Sequence, residues 1–585
     1  MVYKPREVSD HDDDEDEQVD LNSGELESWL TDHAKEGRFG LAVAANARSP
    51  IPSVAIVAAG GDVCYIDGTS LHEDDEAAVR HWLGDSRTPK VLWQAKIALR
   101  SLAQRGWTCS GVATDVALAA YLVDPGHRAQ TLADLSGRFL RRDLDPGVSP
   151  QDRLIMFACM TLDLADALDA ELDRLGLTVL LAELELPVQR VLAHMELAGI
   201  AVDSDKLIEI RSRLAGEIVR FECAAMAAIG GEQINLGSPK QLQVVLFDKL
   251  GMPKTKRTKT GYTTDADALQ SLLDKTGHPF LQHLLAHRDA TRLKVTVDGL
   301  LNAVASDDRI HTTFNQTIAA TGRLSSTEPN LQNIPIRTEA GRQIREAFVV
   351  GKGFTELMTA DYSQIEMRIM AHLSGDAGLI EAFNTGEDLH TFVASRAFSV
   401  PSDEVTPELR RRVKAMSYGL AYGLSAYGLA SQLKISTEEA KQQMDQYFDR
   451  FGGVRDYLHS VVEQARKDGY TSTVLGRRRY LPELDSSNRN VREAAERAAL
   501  NAPIQGSAAD IIKVAMINVD RAMKDAGLQS RVLLQVHDEL LFEVADGERD
   551  TLETLVREQM GTAYPLDVPL EVSVGYGPNW DAAAH

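Results

Sequence analysis

Two segments of the chain combine a carboxylate with the end of a predicted strand. In the first, Asp361 follows the apolar residues Leu357 and Met358 and precedes a run with helical spacing. In the second, Asp538 lies between two apolar runs, so residues 533–544 are typical of a β-hairpin with its acids at the tip. Carboxylates held at rigid strand ends suit a hard cation such as Mg²⁺, which binds one or two of them together with water and substrate phosphates.

Each acid alone has an ordinary structural explanation. An Asp before a helix is most often an N-cap, and a charged hairpin turn is common. Together, Asp361 and Asp538 can hold two divalent ions about 4 Å apart, which clamps the attacking and leaving oxygens of an in-line phosphoryl transfer. The pair therefore predicts metal-assisted phosphoryl transfer.

The segments around both acids resemble the two carboxylate motifs of family A DNA polymerases, the DNA polymerase I group. Residues 361–368 read DYSQIEMR, and residues 536–540 read VHDEL. The resemblance covers roughly residues 180–585, with further motifs of the family in the same order. It implies an α+β multidomain fold: a right-hand polymerase with thumb, palm and fingers, preceded by an α/β ribonuclease-H-like domain of the exonuclease type.

The implied domain boundaries follow the same resemblance. They are an acidic disordered tail over 1–24, a degenerate 3′–5′ exonuclease-like domain over 25–180, a thumb over 181–305, a palm over 306–375 and 501–585, and fingers over 376–500. Predicted strands within 39–57 and at 63–66 alternate with predicted helices at 95–105 and 115–122, which independently favours an α/β amino-terminal domain.

The amino-terminal domain lacks the four carboxylates with which this family's exonuclease binds two metal ions. Non-acidic residues occupy the expected positions: Ala42, Ala44, Ala98 and Thr161. Asp115 and Asp163 lie near these positions and are alternative candidates, although acids on helix surfaces are common. We expect a retained scaffold without proofreading activity.

A second chemical pattern lies on a predicted helix that begins at Thr406 and Pro407, with a cap and a first-position proline. Residues at intervals of four form a stripe in which basic side chains are followed by aromatic ones: Arg410, Lys414, Tyr418 and Tyr422. A solvated face explains only the basic residues, and a core stripe explains only the tyrosines. A nucleoside triphosphate lying along the helix fits both ends.

The resemblance extends to this helix, which is similar to the fingers helix of the family, and implies roles for its residues. Arg410 and Lys414 would bind phosphates, Lys414 would also protonate pyrophosphate, and Tyr418 would pack on the sugar and base. Tyr422 would lie beside the nascent pair. Three further residues are implied to contact the dNTP: His390, Gln364 and Glu366. Glu366 is expected to exclude ribonucleotides because it would lie beneath the sugar.

Near the two acids, the resemblance implies metal ligands and supporting groups. Asp361, Tyr362 and Asp538 are the implied metal ligands, and Glu539 would support them. Asp361, Asp538, Glu539 and Lys414 are therefore the candidate catalytic residues. The implied cofactors are two Mg²⁺ ions, for which Mn²⁺ can substitute.

The predicted DNA contacts form two groups. Four residues are implied to contact the primer–template near the active site: Arg323, Asn501, Gln505 and His537. A donor such as Arg323 can test pair geometry, because every Watson–Crick pair presents a minor-groove acceptor at nearly the same place. A basic loop in the thumb suits sequence-independent phosphate contacts and contains Lys254, Lys256, Arg257 and Lys259.

The composition agrees with an intracellular enzyme of several domains. The net charge is −24, but basic residues cluster at 254–259, 410–412 and 477–479, where we expect nucleic-acid binding. The four cysteines show neither metal-ligand spacing nor a disulfide framework and are expected to be reduced, packed thiols. With no secretory signal and no membrane-spanning run, we expect a cytoplasmic, nucleoid-associated monomer whose partners are primer–template DNA and dNTPs.

Other classes of function fit less well. A single-subunit RNA polymerase shares the acids and a basic fingers helix, but Glu366 and the lack of an obvious promoter-binding domain argue against it. A nuclease or a non-catalytic DNA-binding protein is disfavoured because the exonuclease positions have lost their acids while the polymerase motifs are intact. The family's 5′ nuclease domain has no counterpart within the sequence.

Overall fold

The structure is a computed structural model that describes residues 2–3, 24–35, 37–44, 53–68, 71–127, 131–144, 147–259, 261–336 and 338–584. The predicted acidic tail therefore lies almost entirely outside the described residues. Within the described ranges, we find no helix that combines the length and the apolar character needed to cross a bilayer.

The amino-terminal domain is built on a six-stranded mixed sheet. In spatial order, its strands are Val2–Tyr3, Val63–Ile66, Val54–Val57, Phe39–Val43, Lys90–Leu92 and Val112–Asp115. The strand Phe39–Val43 runs antiparallel to one neighbour and parallel to the other, so the region predicted as strand over 39–57 contains two strands. The α/β class predicted for this domain is confirmed.

Helices cover this sheet with their apolar faces. They are Glu25–His33, Glu73–Gly84, Ala95–Gln104, Val116–Val123, Leu132–Leu135, which continues in a π-helical turn to Leu140, and Pro150–Leu175. The last begins where Ser149 caps it ahead of a first-position proline, and it ends at Gly176, whose φ of 69° suits a glycine. Cys64 and Cys109 are packed in this domain as expected, whereas Cys223, in the next, is exposed.

A mainly helical region follows. One helix begins at Thr178, passes through a π-helical turn at Leu181–Glu185 and continues as Leu186–Ala198. The other elements are Ser204–Ala228, Pro239–Gln243 with a π-helical extension to Lys249, the short hairpin Arg257–Thr258 and Gly261–Tyr262, Ala266–Thr276, and Pro279–Asn302. The helix predicted over 204–228 has those bounds, and the Asp203 side chain caps it. Ser238 stands at an N-cap position but makes no capping hydrogen bond with its side chain.

The carboxyl-terminal part contains a four-stranded antiparallel sheet. Its strands, in spatial order, are Arg531–Val536, Glu539–Val544, Glu356–Tyr362 and Val572–Gly577. Helices that share its core are Glu339–Arg345, Ile365–Ser374, Arg489–Asp525, Arg549–Gly561 and Trp580–Ala583. Leu357 to Ala360 are all fully buried, which explains why the strand before Asp361 is a nearly continuous apolar run.

The region between residues 377 and 488 is helical with one hairpin. It comprises Ala377–Asn384, Leu389–Phe398, Pro407–Ala421, Ala426–Leu433, Thr437–Arg450, Gly452–Asp468, and the hairpin strands Tyr470–Ser472 and Arg478–Tyr480, with 3₁₀ turns at Ser402–Glu404 and Pro482–Asp485. Two ribbons link the parts: Ile200–Ala201 with Arg309–Ile310, and Thr313–Asn315 with Ser325–Thr327. Two predicted domain borders, at 180/181 and 500/501, fall inside continuous helices.

Candidate active site

The three predicted acids meet at one end of the four-stranded sheet. Asp361 lies directly opposite Glu539 in the antiparallel register of neighbouring strands. The backbone N–H of Tyr362 donates to the carbonyl of Asp538 at 3.3 Å. His537 adopts a left-handed conformation with φ of 59°, which makes the hairpin tight enough to bring Asp538 back toward the central strand.

All three acids are half-buried, and each has a raised pKa. Burial, followed by the charges of Asp538 and Glu539, raises the pKa of Asp361 to about 8. Burial also raises the pKa of Asp538 and that of Glu539. Atom Oδ1 of Asp361 is buried and has no hydrogen-bond partner among the described residues. Two neighbouring half-buried carboxylates, one with an oxygen that lacks a partner, are stabilised by a bound cation.

The donor set fits a magnesium-like ion better than a transition metal. Among the described residues, no three His, Cys, Asp or Glu side chains are arranged to hold an ion. A site with two carboxylates suits Mg²⁺, which keeps several waters and binds substrate phosphates. The phenol of Tyr362 is not available to a metal, because it is buried and donates to the carbonyl of Met560 at 2.7 Å. Only the main chain of Tyr362 remains as a ligand.

Glu539 has protein partners that the other two acids lack. The indole N–H of Trp580 donates to its carboxylate at 3.0 Å. The guanidinium of Arg345 lies 4.1 Å from the centre of a Trp580 ring, and its charge opposes the burial that raises the pKa of Glu539. Arg345 and Trp580 therefore hold Glu539 behind the site, and neither was identified from the sequence.

Glu366 is hydrogen-bonded to two other predicted contact residues. Its carboxylate accepts a hydrogen bond from the guanidinium of Arg323 at 2.5 Å and another from the hydroxyl of Tyr422. The sequence placed Arg323 on the DNA and Tyr422 beside the nascent pair without predicting this contact. The spacing of residues along the chain could not reveal these contacts, because Arg323 and Tyr422 lie on different elements from Glu366.

A cleft of about 220 Å³ opens between these residues. Its polar lining consists of Arg323, Gln332, Glu366, Gln535, His537 and Asp538. Gln332 donates to the carbonyl of Gln535 at 3.1 Å, which ties the loop after Arg323 to the acidic hairpin. Sequence reasoning missed both glutamines; the signal for Gln535 was a polar residue within an otherwise apolar strand.

The basic and aromatic stripe lies on the predicted helix. Thr406 caps the helix: its hydroxyl oxygen accepts a hydrogen bond from the N–H of Leu409 at 3.2 Å. Arg410 is not free: its guanidinium makes two hydrogen bonds to Asp388, at 2.8 and 2.7 Å. This pairing is chiefly what lowers the pKa of Asp388. Lys414, by contrast, is exposed and has no ion pair within the described part of the chain.

The aromatic end of the helix contacts a buried histidine. The rings of His390 and Tyr418 are 6.0 Å apart between centroids. Burial lowers the pKa of His390 to about 4, so the imidazole is neutral at physiological pH. Burial, then the charges of Glu366 and Asp538, raises the pKa of Tyr418 to about 12, which keeps its hydroxyl protonated.

Several predicted contact residues have buried polar atoms without partners among the described residues. Besides Asp361, these are Oε1 of Gln364, Nδ1 of His390 and Oδ1 of Asn501. Buried polar atoms normally have partners, so these atoms indicate places where a ligand supplies the missing contacts. Gln505 lies one turn beyond Asn501 on the helix Arg489–Asp525, and its side chain forms a hydrogen bond with Tyr422.

The basic clusters differ in their availability. Lys254, Lys256, Arg257 and Lys259 are all exposed around the short hairpin. In the cluster at 477–479, however, Arg477 is 3% exposed and forms ion pairs with Glu185 and Asp510. The expectation that Arg477 belongs to a nucleic-acid surface is wrong, because a basic run in sequence says nothing about which side chain is buried against acids.

The amino-terminal cleft contains the positions where acids were expected. Ala42, Ala44, Ala98 and Thr161 all line one cavity of about 300 Å³. None of the described residues that line it is acidic. The two alternative acids are used otherwise. Asp115 is fully buried and caps the helix Val116–Val123, and Asp163 pairs with Arg142 at 2.6 Å.

Comparison with known proteins decides the family. The model for DNA polymerase family A matches residues 204–582, which is more than half of the chain. The chain belongs to DNA polymerase family A. A second model, for the ribonuclease H-like domain of DNA polymerase I, matches residues 46–146. The family resemblance and the fold class predicted from the sequence are therefore confirmed, and enzymes of this family depend on metal ions.

Individual relatives support the same assignment. DNA polymerase I of Mycobacterium tuberculosis is 70% identical over 97% of this chain, and DNA polymerase I of Geobacillus stearothermophilus is 42% identical over 91%. The chain spans 65% and 62% of the length of these two relatives. A solved structure, the POL domain of Pol1 from M. smegmatis in complex with DNA primer-template and dNTP, is 74% identical. It covers 97% of this chain and 100% of its own, with a TM-score of 0.93.

Proposed function

We propose that the chain is a DNA-directed DNA polymerase that adds dNTPs to the 3′-hydroxyl of a primer paired with a DNA template. The observation that carries this proposal is the half-buried acidic pair, Asp361 and Asp538, at a cleft that Arg323 and Glu366 also line. Membership of the family and the primer-template and dNTP bound to the related POL domain support it. Genome repair and gap filling are the processes we expect it to serve, in the cytoplasm with the nucleoid.

The domains divide this task. Residues 306–375 and 501–585 form the palm, 376–500 the fingers and 181–305 the thumb, whose exposed Lys254, Lys256, Arg257 and Lys259 contact duplex phosphates. The domain over 25–180 has no proofreading activity, because none of the described residues that line its cleft is an acid that could hold a metal ion. The protein acts as a monomer.

Asp361, Asp538 and the main chain of Tyr362 hold two Mg²⁺ ions, or Mn²⁺ in their place. When bound, these ions lower the pKa of the primer hydroxyl and neutralise charge on the triphosphate. Glu539 keeps its place through Trp580 and supports the two ligands.

The protein side chains orient the substrates. Lys414 and Arg410 bind the triphosphate, and the exposed ammonium of Lys414 gives a proton to the departing pyrophosphate. Because Arg410 is paired with Asp388, the phosphates must share or replace that carboxylate. His390, being neutral, donates one hydrogen bond to a phosphate oxygen without adding charge.

The remaining contacts test the base pair and the sugar. Tyr418 packs on the incoming sugar and base, and Tyr422 lies beside the nascent pair. Gln364 and Asn501 satisfy their buried unpaired atoms on the nucleotide and the template. Arg323 and Gln505 read minor-groove acceptors, which are nearly invariant in position, and His537 contacts the primer terminus.

A primer-extension assay tests the proposal. A labelled primer on a DNA template is incubated with Mg²⁺ and all four dNTPs, and in parallel with all four NTPs. We expect template-directed extension with dNTPs and very little with NTPs. Efficient extension with NTPs alone would favour an RNA polymerase, and no extension with either set, in protein that binds the duplex, would refute the proposal.

A further inference from the structure

The amino-terminal domain touches the polymerase site through the segment that leads into Arg323. This segment, residues 313–322, contains the strand Thr313–Asn315 and a turn at Ala319–Gly322. We propose that Tyr121 and Lys96 of the amino-terminal domain are positioning residues that fix this segment, and through it the guanidinium of Arg323. The inference rests on the proposed polymerase function and gives the amino-terminal domain a mechanical part in it.

The first contact is made by Tyr121 on the helix Val116–Val123. Its side chain is fully buried, and its hydroxyl donates to the carbonyl of Ala319 at 2.6 Å. The N–H of Gly322 donates to the same carbonyl at 3.1 Å, which closes the turn. Burial raises the pKa of Tyr121 to about 12, so the hydroxyl remains a donor across the physiological range.

The second contact is made by the helix Ala95–Gln104. The ammonium of Lys96 hydrogen bonds to the carbonyl of Phe314 and to the carboxylate of Glu196. That fully buried carboxylate also accepts from the N–H of Phe314 at 2.7 Å and from Arg100 at 2.8 Å. The amino-terminal domain therefore holds the segment at both of its ends.

A buried arginine closes the turn from another direction. Gly322 has φ of 86°, and a Cβ there would lie 2.5 Å from Nε of Arg477. Arg477 is fixed in turn by its ion pairs with Glu185 and with Asp510, the latter at 2.8 Å. The turn is thus held between Tyr121 and Arg477, and the next residue along the chain is Arg323.

This arrangement matters because Arg323 acts through one guanidinium that must lie within hydrogen-bonding distance of a minor-groove acceptor. Groups that act on a substrate need to be held to about half an ångström by their supporting contacts. A backbone turn with one glycine does not supply such rigidity by itself, and the bond from the half-buried Arg323 to Glu366 anchors the guanidinium and not the backbone. The bonds from Tyr121 and Lys96 supply it from outside the polymerase domains.

The test uses the full chain with Tyr121→Phe, which removes only the hydroxyl. We expect single-turnover extension from a matched primer terminus to fall roughly two- to tenfold, the scale of one hydrogen bond. The ratio of matched to mismatched extension should fall with it, while the Kd for primer–template changes less. Ser136→Ala is the matched control, since the buried Ser136 hydroxyl also donates to a carbonyl at 2.6 Å within the same domain. It should leave extension unchanged.

A double-mutant cycle decides whether Tyr121 acts through Arg323. In an Arg323→Ala background, Tyr121→Phe should cause no further loss, because the group that it positions is gone. An equal loss in both backgrounds, or the same loss in Ser136→Ala, would show a general structural role and overturn the inference. If Tyr121→Phe does not fold, Lys96→Gln is put through the same cycle with the same expectations. Failure of the wild-type chain to extend primers would refute the proposed function instead.

Discussion

Among the described residues, the cleft at the carboxyl-terminal sheet is lined by acids, and the cleft at the amino-terminal sheet is not. Beside the carboxyl-terminal cleft, partial burial and then the charges of Asp538 and Glu539 raise the pKa of Asp361 to about 8. In the amino-terminal cleft, Ala42, Ala98 and Thr161 stand where we expected the carboxylates of an exonuclease, and they line a cavity of about 300 Å³. A fold can thus keep the shape of an active site after the few side chains that carry its chemistry are absent.

The two clefts also differ in their effect on the stability of the folded state. Buried carboxylates without full partners destabilise the folded state, and a site tolerates them where a ligand compensates. The amino-terminal cleft carries no such charge, and the neighbouring Lys96 and Tyr121 are bonded to the segment before Arg323 instead. In our proposals, the carboxyl-terminal cleft performs the chemistry, and the amino-terminal domain positions a residue of that cleft.

The largest expected effect comes from neutralising the acidic pair. Asp361→Asn or Asp538→Asn should lower primer extension roughly a thousandfold or more, the scale of a lost charge-stabilising group in phosphoryl transfer. Binding of primer–template should be nearly unchanged, since other residues hold the DNA. Single-turnover extension and equilibrium binding measure the two quantities. Extension at near the wild-type rate would abolish the contrast between the clefts.

The same substitution makes an opposite prediction for stability. The folded pKa of Asp361 is raised from 3.8 to about 8, so without metal the fold loses stability as the pH rises through that interval. Asp361→Asn should therefore raise the Tm at pH 8 relative to wild type, and less so at pH 5. Thermal unfolding in a chelator checks this, with the surface variant Asp163→Asn as the control; a lower Tm at pH 8 would contradict it.

A second, smaller effect concerns the sugar. Glu366→Ala should increase rNTP incorporation relative to dNTP roughly a hundredfold, because the side chain proposed to collide with a 2′-hydroxyl is gone. Some dNTP efficiency should also be lost, since Arg323 and Tyr422 both bond to this carboxylate. Competition between rNTP and dNTP on one template measures the ratio. Unchanged sugar selectivity would remove Glu366 from this role.

The next effect in size concerns the 3′ position of the nucleotide. Many family A enzymes have Phe where this chain has Tyr418, whose hydroxyl has no hydrogen-bond partner among the described residues. We expect the wild type to incorporate dideoxynucleotides almost as readily as dNTPs, since this hydroxyl replaces a contact of the missing 3′-hydroxyl. Tyr418→Phe should restore discrimination by roughly tenfold to a hundredfold. Equal selectivity in both proteins would mean that Tyr418 only packs.

For the amino-terminal cleft we expect no catalytic effect at all. A labelled primer with a 3′ mismatch, given Mg²⁺ but no dNTP, should not be trimmed. Thr161→Ala should change neither trimming nor extension, although Thr161 occupies one of the positions where the family has an acid. Metal-dependent trimming by purified wild type that Thr161→Ala abolishes would show that this cleft is catalytic after all.

Much of the architecture followed from local patterns. The helix over 204–228, the capped start at Thr406 and the hairpin with Asp538 at its tip are all as predicted, because caps and apolar periodicity are local properties. Domain borders were harder to place. The helix Arg489–Asp525 continues past the predicted border at 500/501, since its buried residues pass from one core, with Ala495 and Ala499, to another that begins at Ile504, without a break in sequence pattern.

The sequence by itself determined the family, and it predicted the two acids, the basic and aromatic stripe and the lack of exonuclease acids, because each is a matter of residue type and spacing. Only the tertiary structure decided which side chains are partners. Arg410 is bound to Asp388, Arg477 is buried between Glu185 and Asp510, and Tyr121 reaches the turn before Arg323. These contacts join residues from 22 to 292 positions apart, as in the pairs of Arg410 with Asp388 and Arg477 with Glu185. Burial and partner choice at such separations depend on how whole domains pack, which no local pattern records.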